Sequence, residues 1–147
     1  MRERPSPSPR MNVTGAMADN DRAARLLDYV VDAVEPGRAT VSMTVRDDML
    51  NGLDVCHGGL IFTLADSAMA HASNGYGEPA FAVAASIDFL RPGRPGDRLT
   101  ATARETFRQG RTALYDVTVT DDSGAEVARF HGRTQHRSER LRSGDGS

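Results

Sequence analysis

Between the paired glycines Gly58-Gly59 and the Gly75 and Gly77 that close it, the chain carries one helical pattern, Leu60 to Asn74, that is apolar round most of its circumference. Leu60, Ile61, Leu64, Ala65, Ala68 and Ala72 form the main stripe, and Phe62, Met69 and Ala70 widen it. A helix that is apolar nearly all round has to be covered nearly all round. In a chain of 147 residues, one domain's worth, only a sheet curling about the helix supplies that much cover. The alanines admit a close approach between the two.

The remaining segments supply such a sheet. Ala80 to Phe89, Arg98 to Phe107, Thr112 to Thr120 and Glu126 to His136 read as strands. They are separated by Pro92-Gly93 with Pro95-Gly96, by Gln109-Gly110 and by Asp121-Asp122-Ser123-Gly124. The two short connections make the last three strands an antiparallel meander. Arg38 to Val45 alternates, with Ala39, Val41, Met43 and Val45 on one face, and is a further strand. Asp19 to Val31 places Leu26, Leu27, Val30 and Val31 at helical spacing behind an Asp or Asn cap, which predicts a short N-terminal helix ended by Pro36-Gly37. Asp47 to Cys56 is a loop or short strand. The architecture expected is α+β: one long helix wrapped by a curved antiparallel sheet, the hotdog arrangement.

Residues 1–17 are Pro-, Ser- and Arg-rich with little to bury and are expected to form a disordered tail, with Met11 and Met17 as alternative starts. A loose C-terminal tail is expected over 138–147, leaving the folded domain at 18–137. There is no hydrophobic signal core and no bilayer-length apolar run, so the expected location is the cytoplasm. A net charge of −2 argues against nucleic-acid and membrane partners. Cys56 is the only cysteine, which excludes an internal disulfide and a cysteine-cluster zinc site; beside His57 it reads as a small apolar loop residue. His71 lies on the helix away from Asp66, and His131 has no carboxylate near it in sequence, so no metal site is expected. Lysine is absent, so a ligand phosphate would be met by arginine, histidine or backbone N–H groups.

One carboxylate, Asp66, sits in the middle of the apolar helix. Aspartate is a poor helix former and costs several kcal/mol when buried uncompensated. Its neighbours on the same face, Phe62, Met69, Ala70 and Ser73, carry no charge, which points to a site. Gly58 and Gly59 leave first-turn N–H groups open to a substrate, where the helix dipole favours a carbonyl oxygen or oxyanion. By themselves, His57 also reads as an N-terminal cap and Asn51 as a turn residue.

Asn51, His57-Gly58-Gly59 and Asp66, with their spacing, resemble the phenylacetate-degradation (hydroxyphenylacetyl-CoA thioesterase) branch of the hotdog thioesterases. The resemblance is carried by CHGGLIFTLADSAMAHASNGYG, by SIDFLRPGRPGDRLTATA and by the RQGRT hairpin, and spans most of residues 50 to 136. It implies hydrolysis of acyl-CoA thioesters, with aryl- or hydroxyphenylacetyl-CoA favoured and no cofactor beyond the coenzyme A of the substrate. It further implies Asp66 as nucleophile or general base, the Gly58 N–H as the group that polarises the thioester carbonyl, Asn51 holding the carbonyl or the water, and His57 supporting the loop. Coenzyme A would lie along Ala82, Ala84 and Phe89, and would contact Arg108, Gln109, Gly110, Arg111, Thr112, Ala113 and His136. Homodimers sharing their sites, paired into a tetramer, are implied as well. The chain departs from the family near Ala82, where relatives carry a hydroxyl; Ser86 is the nearest one here. Medium-chain fatty acyl-CoA hydrolysis and a non-catalytic acyl-CoA-binding module are the alternatives. A hotdog dehydratase would need a His/Glu or Asp/His pairing that is missing.

Overall fold

The computed structural model describes residue 17 and residues 20–137; of the tails expected at 1–17 and 138–147, residues 1–16 and 138–147 lie outside the described residues. Helix α1 (Arg22–Leu27) is capped by Asp21, whose Oδ1 accepts the Ala24 N–H at 2.9 Å. It ends sooner than its spacing predicts. Asp28 turns into the left-handed region (φ 52°), and Val30–Glu35 is not helix but an edge strand, β1. Pro36-Gly37 therefore turns a hairpin, with Gly37 at φ +77°, into β2 (Arg38–Thr44). Asp47–Met49 is a single 3-10 turn.

The long helix α2 (Gly58–Asn74) is followed by β3 (Ala80–Phe89), β4 (Arg98–Gln109), β5 (Thr112–Thr120) and β6 (Glu126–His136). The six strands form one antiparallel sheet in the order β1-β2-β4-β5-β6-β3, so the predicted meander β4-β5-β6 is central and β3 closes the far edge. Register shifts at Val31/Ala33, Ala82/Ala84, Glu105/Phe107 and Val119/Thr120 interrupt the ladders, and such bulges bend and twist a sheet. The α+β hotdog architecture read from the sequence is the one observed.

The core lies between α2 and the concave face. Ile61, Leu64, Ala65, Ala68, Met69 and Ala72 of the helix meet Val41, Met43, Leu99, Ala101, Ala103, Tyr115, Val117, Val119 and Phe130 of the sheet. Ala68 faces a sheet that is itself lined by Ala101, Ala103 and Ala113, and small residues on both sides let the layers approach closely. Leu64 is fully buried, a contribution of about 1.5–3 kcal/mol, and truncating such a residue to alanine costs about 2–5 kcal/mol.

The helix is not covered all round. Gly59 is exposed, and Phe62, Thr63, Asp66 and Ala70 are only half-buried, so this chain's own sheet leaves one stripe of α2 open. The edge strand β3 is open too: Phe81 and Val83 are 53% and 50% exposed, and no lysine or proline guards the strand. Among the described residues no helix is long and apolar enough to cross a membrane.

Candidate active site

The site is assembled at the N-terminus of α2. His57 is the N-cap: its Nδ1 accepts the Gly59 N–H at 3.0 Å, and its carbonyl accepts the N–H groups of Leu60 (3.0 Å) and Ile61 (3.4 Å). An accepting Nδ1 puts the proton of the neutral ring on Nε2. Of the four first-turn donors, the Gly58 N–H has no partner among the described residues. That leaves one donor, reinforced by the helix dipole, open to a ligand.

The loop before the helix is held from three sides. The His57 N–H donates to the Met49 carbonyl at 2.9 Å, the Cys56 N–H to the Gly93 carbonyl at 2.8 Å, and Leu50 bridges Cys56. Asn51 builds the turn between them: its Oδ1 accepts the N–H of Leu53 (2.9 Å) and Val55 (3.4 Å), and its own N–H donates to the Val55 carbonyl (2.8 Å). With Oδ1 used in this way, the side-chain amide nitrogen is the end without a partner among the described residues. Cys56 is buried, and burial pushes its thiol up to about 11, which suits the apolar loop role and disfavours a thiolate.

Asp66 lies two turns into α2 on the open stripe, half-buried and with no hydrogen bond or ion pair among the described residues. Burial pushes its carboxyl above the usual carboxylate range. The next residue, Ser67, faces away and bonds Tyr29 Oη at 2.8 Å, which in turn donates to Asp21 Oδ2 at 3.3 Å, tying the N-terminal segment to the helix. No sequence pattern signals that contact, because it joins residues 38 positions apart.

The proposed coenzyme A residues divide. Ala82 is paired with buried Thr134 and Phe89 with buried Ala128, on the helix side of the sheet, whereas Ala84 is paired with exposed Arg133 on the outer face. Ser86 also faces outward, opposite His131, and so does not replace the hydroxyl missing near Ala82. In the hairpin, Gln109, Gly110 and Arg111 are exposed at the tip, Thr112 Oγ1 donates to Gln135, and Ala113 is buried. Arg108 turns inward, stacked 3.8 Å over the Tyr76 ring, with Nη2 3.9 Å from Glu78. Buried His136 supports the hairpin through its N–H, which donates to the Arg111 carbonyl at 2.7 Å, and burial lowers the pKa of its ring.

Two further histidines are placed by the structure. His71 is buried away from Asp66, as expected, with Nδ1 unpartnered. His131 does meet a carboxylate: Asp116, across the β5–β6 ladder, lies 2.8 Å from its Nδ1. This corrects the reading from sequence distance, since strand pairing joins residues 15 apart. The pair borders an outer-face groove of about 370 Å³ with Ser86, Asp88, Arg104 and Arg129, on the other side of the sheet from α2. No group of three or more metal-ligating side chains occurs among the described residues.

Residues 53–128 match the family model described as the thioesterase superfamily. The acyl-coenzyme A thioesterase PaaI of Escherichia coli K12 is 45% identical over 119 residues, covering 81% of this chain and 85% of the relative. The structure of the E. coli PaaI protein from the phenylacetic acid degradation operon superposes with a TM-score of 0.85 at 41% identity, over 88% of this chain and 94% of that one. The Streptococcus mutans UA159 protein smu.793, solved bound to acetyl CoA, superposes with a TM-score of 0.72 at 32% identity, over 75% and 89% of the two chains.

Proposed function

This chain belongs to the thioesterase superfamily, and we propose that it hydrolyses acyl-coenzyme A thioesters to the free acid and coenzyme A, with Asp66 as the reacting carboxylate. The observation that carries the reading is the pairing on α2 of an unpartnered, half-buried carboxylate, Asp66, with an unpartnered N–H at Gly58. A thioester carbonyl whose oxygen accepts the Gly58 N–H becomes more electrophilic, and the helix dipole stabilises the charge that grows on that oxygen. Asp66 then adds to the carbonyl carbon itself, or takes a proton from the water that adds. In either case the C–S bond breaks and coenzyme A leaves as thiolate; in the first, water then cleaves the acyl–Asp66 anhydride to release the acid and restore the carboxylate, and in the second the acid forms directly from the added water. The Asn51 amide nitrogen would hold the carbonyl or the water, and His57 fixes the donor's orientation by capping Gly59.

One chain does not complete such a site. Gly58 and Asp66 are eight residues apart on one helix, roughly 12 Å along the axis, whereas one carbon must lie about 3 Å from both groups. A second copy related by a dyad would bring its Asp66 to this chain's Gly58 and Asn51. The open stripe of α2 and the unguarded β3 edge are the surfaces such a copy would cover. A homodimer with shared sites, assembled as a dimer of dimers, is therefore part of the proposal.

For the acyl group, aryl- or hydroxyphenylacetyl-CoA leads, on the E. coli relative's operon. Medium-chain fatty acyl-CoA is the second reading, and an alanine rather than a hydroxyl-bearing residue at position 82 keeps a binding-only module as the third. A thiol-release assay over arylacetyl-, benzoyl- and C2–C12 acyl-CoA decides among them. Arylacetyl esters are expected to give the highest kcat/KM. A maximum at C8–C10 would select the second reading, and binding of acyl-CoA without thiol release the third.

A further inference from the structure

We infer that Phe89 is a positioning residue for the thioester, acting through Gly58: its ring holds position 58 to glycine and closes one flank of the Gly58 N–H, so that a carbonyl reaches the donor from one direction. The inference rests on the proposed role of the Gly58 N–H.

Phe89 ends β3 on the helix side of the sheet, opposite buried Ala128. Its ring reaches the first residue of α2. A Cβ added at Gly58 would lie 2.9 Å from Cζ and 3.2 and 3.4 Å from the two Cε atoms, so the ring edge occupies the space a side chain at 58 would need. Phe89 is nevertheless 53% exposed. A large aromatic packed against the residue that carries the open backbone donor, and still half exposed, offers an apolar wall beside that donor.

The wall continues toward Asp66. Ile87, the next helix-side residue of β3, is paired with Phe130, whose ring stacks edge-on with Phe62 at 5.2 Å, and Phe62 is one turn before Asp66. The Phe89 ring beside Gly58 restricts water's approach to the N–H on that flank, and a hydrogen bond to a developing charge strengthens where water is excluded. Removing the ring lets the carbonyl sample unproductive orientations, a loss that appears in kcat more than in KM.

The test is a double-mutant cycle on the full chain, with steady-state thiol release from its best acyl-CoA and Tm recorded for each variant. Phe89→Ala is expected to lower kcat about tenfold or more with KM changed less than about threefold, and Phe89→Leu to recover part of the loss. Gly58→Ala retains the N–H but displaces the ring, so it should lose kcat to a similar extent. The double variant should then be no worse than Phe89→Ala alone. If the two penalties multiply, or if Phe89→Ala changes only KM, the inference is overturned. Gly58→Pro beside Gly58→Ala, both in the Phe89→Ala background, keeps the two failures apart: equal rates for these would remove the Gly58 donor itself and this inference with it. Unequal rates with multiplying penalties would remove the role of Phe89 alone.

Discussion

The guanidinium of Arg108 lies 3.8 Å above the centroid of the Tyr76 ring, and this stacking turns the first arginine of the hairpin toward the interior. Tyr76 Oη donates to Glu105 Oε2, Glu78 lies 3.9 Å from the Arg108 Nη2, and the Arg108 Nη1 is buried without a partner. Arg111, in contrast, is exposed at the hairpin tip. The two arginines that the family resemblance groups together are therefore expected to separate by experiment.

Arg111→Ala should raise KM for coenzyme A esters by about threefold to tenfold with little change in kcat, the signature of lost uniform binding to a phosphate. The effect should shrink for a pantetheine ester that lacks the nucleotide. Arg108→Ala should instead lower Tm by roughly 2–8 °C, because a cation–π contact of about 0.5–2 kcal/mol is lost. Steady-state kinetics on both ester types together with thermal melts check the division; a nucleotide-dependent KM effect at Arg108 with unchanged Tm would reverse it.

Asp66→Asn should lower kcat by about 10²–10⁴ while preserving the fold, since the isostere retains packing but not basicity. It should also melt above the parent at neutral pH. Burial raises the folded-state pKa of Asp66, so between the ordinary and the raised value the folded chain holds a proton that the unfolded chain has lost. The stability this proton contributes is full below the ordinary carboxylate pKa of about 3.9 and is lost as pH rises through the raised value. The amide has no such term, so the Tm gap should close as pH falls below about 4. On the same grounds the acid limb of kcat/KM should show an apparent pKa above that of an ordinary aspartate. Melts of both proteins from pH 3 to 8 and a pH–rate profile of the parent measure this; a gap that stays constant in acid would assign it to packing.

Gly58→Pro isolates a single backbone donor. Proline is tolerated at the first helical position, and the preceding His57 (φ −59°, ψ 131°) already has the extended conformation that a following proline requires. Both Gly58→Pro and Gly58→Ala add a Cβ, but only the former deletes the N–H. The proline variant is expected to fall about 10²–10³ below the alanine variant in kcat, with similar helix content by circular dichroism. Matching rates would show that the Gly58 N–H does not touch the carbonyl.

Shared sites are tested by mixing two inactive variants, Asp66→Asn and Asn51→Ala, unfolded together and refolded. Half of the dimers are then mixed, and each gathers both lesions into one site and leaves the other intact. Activity should return to about a quarter of the parent level. A mixture that stays inactive would place a complete site within each chain.

The extent of α2 and the strands after it follow from the sequence alone, because periodicity and turn residues are local properties, whereas the grouping of Asn51, His57, Gly58 and Asp66 is what the family resemblance implies. What only the tertiary structure decided are matters of pairing. Val30 and Val31 satisfy a helical period with Leu26 and Leu27, and it is the ladder to β2 that makes Val30–Glu35 a strand. The bulge between Ala82 and Ala84 sets which β3 residues face the helix, and it turns Ser86 outward; a one-residue shift exchanges the two faces of a strand. His131 finds Asp116, and Arg108 finds Tyr76, across intervals of sequence that no local pattern spans. The open donor at Gly58 appears only once His57 has capped Gly59 and accepted the N–H groups of Leu60 and Ile61. Each of these depends on which groups are left over after backbone pairing is complete, and that remainder is a property of the folded chain.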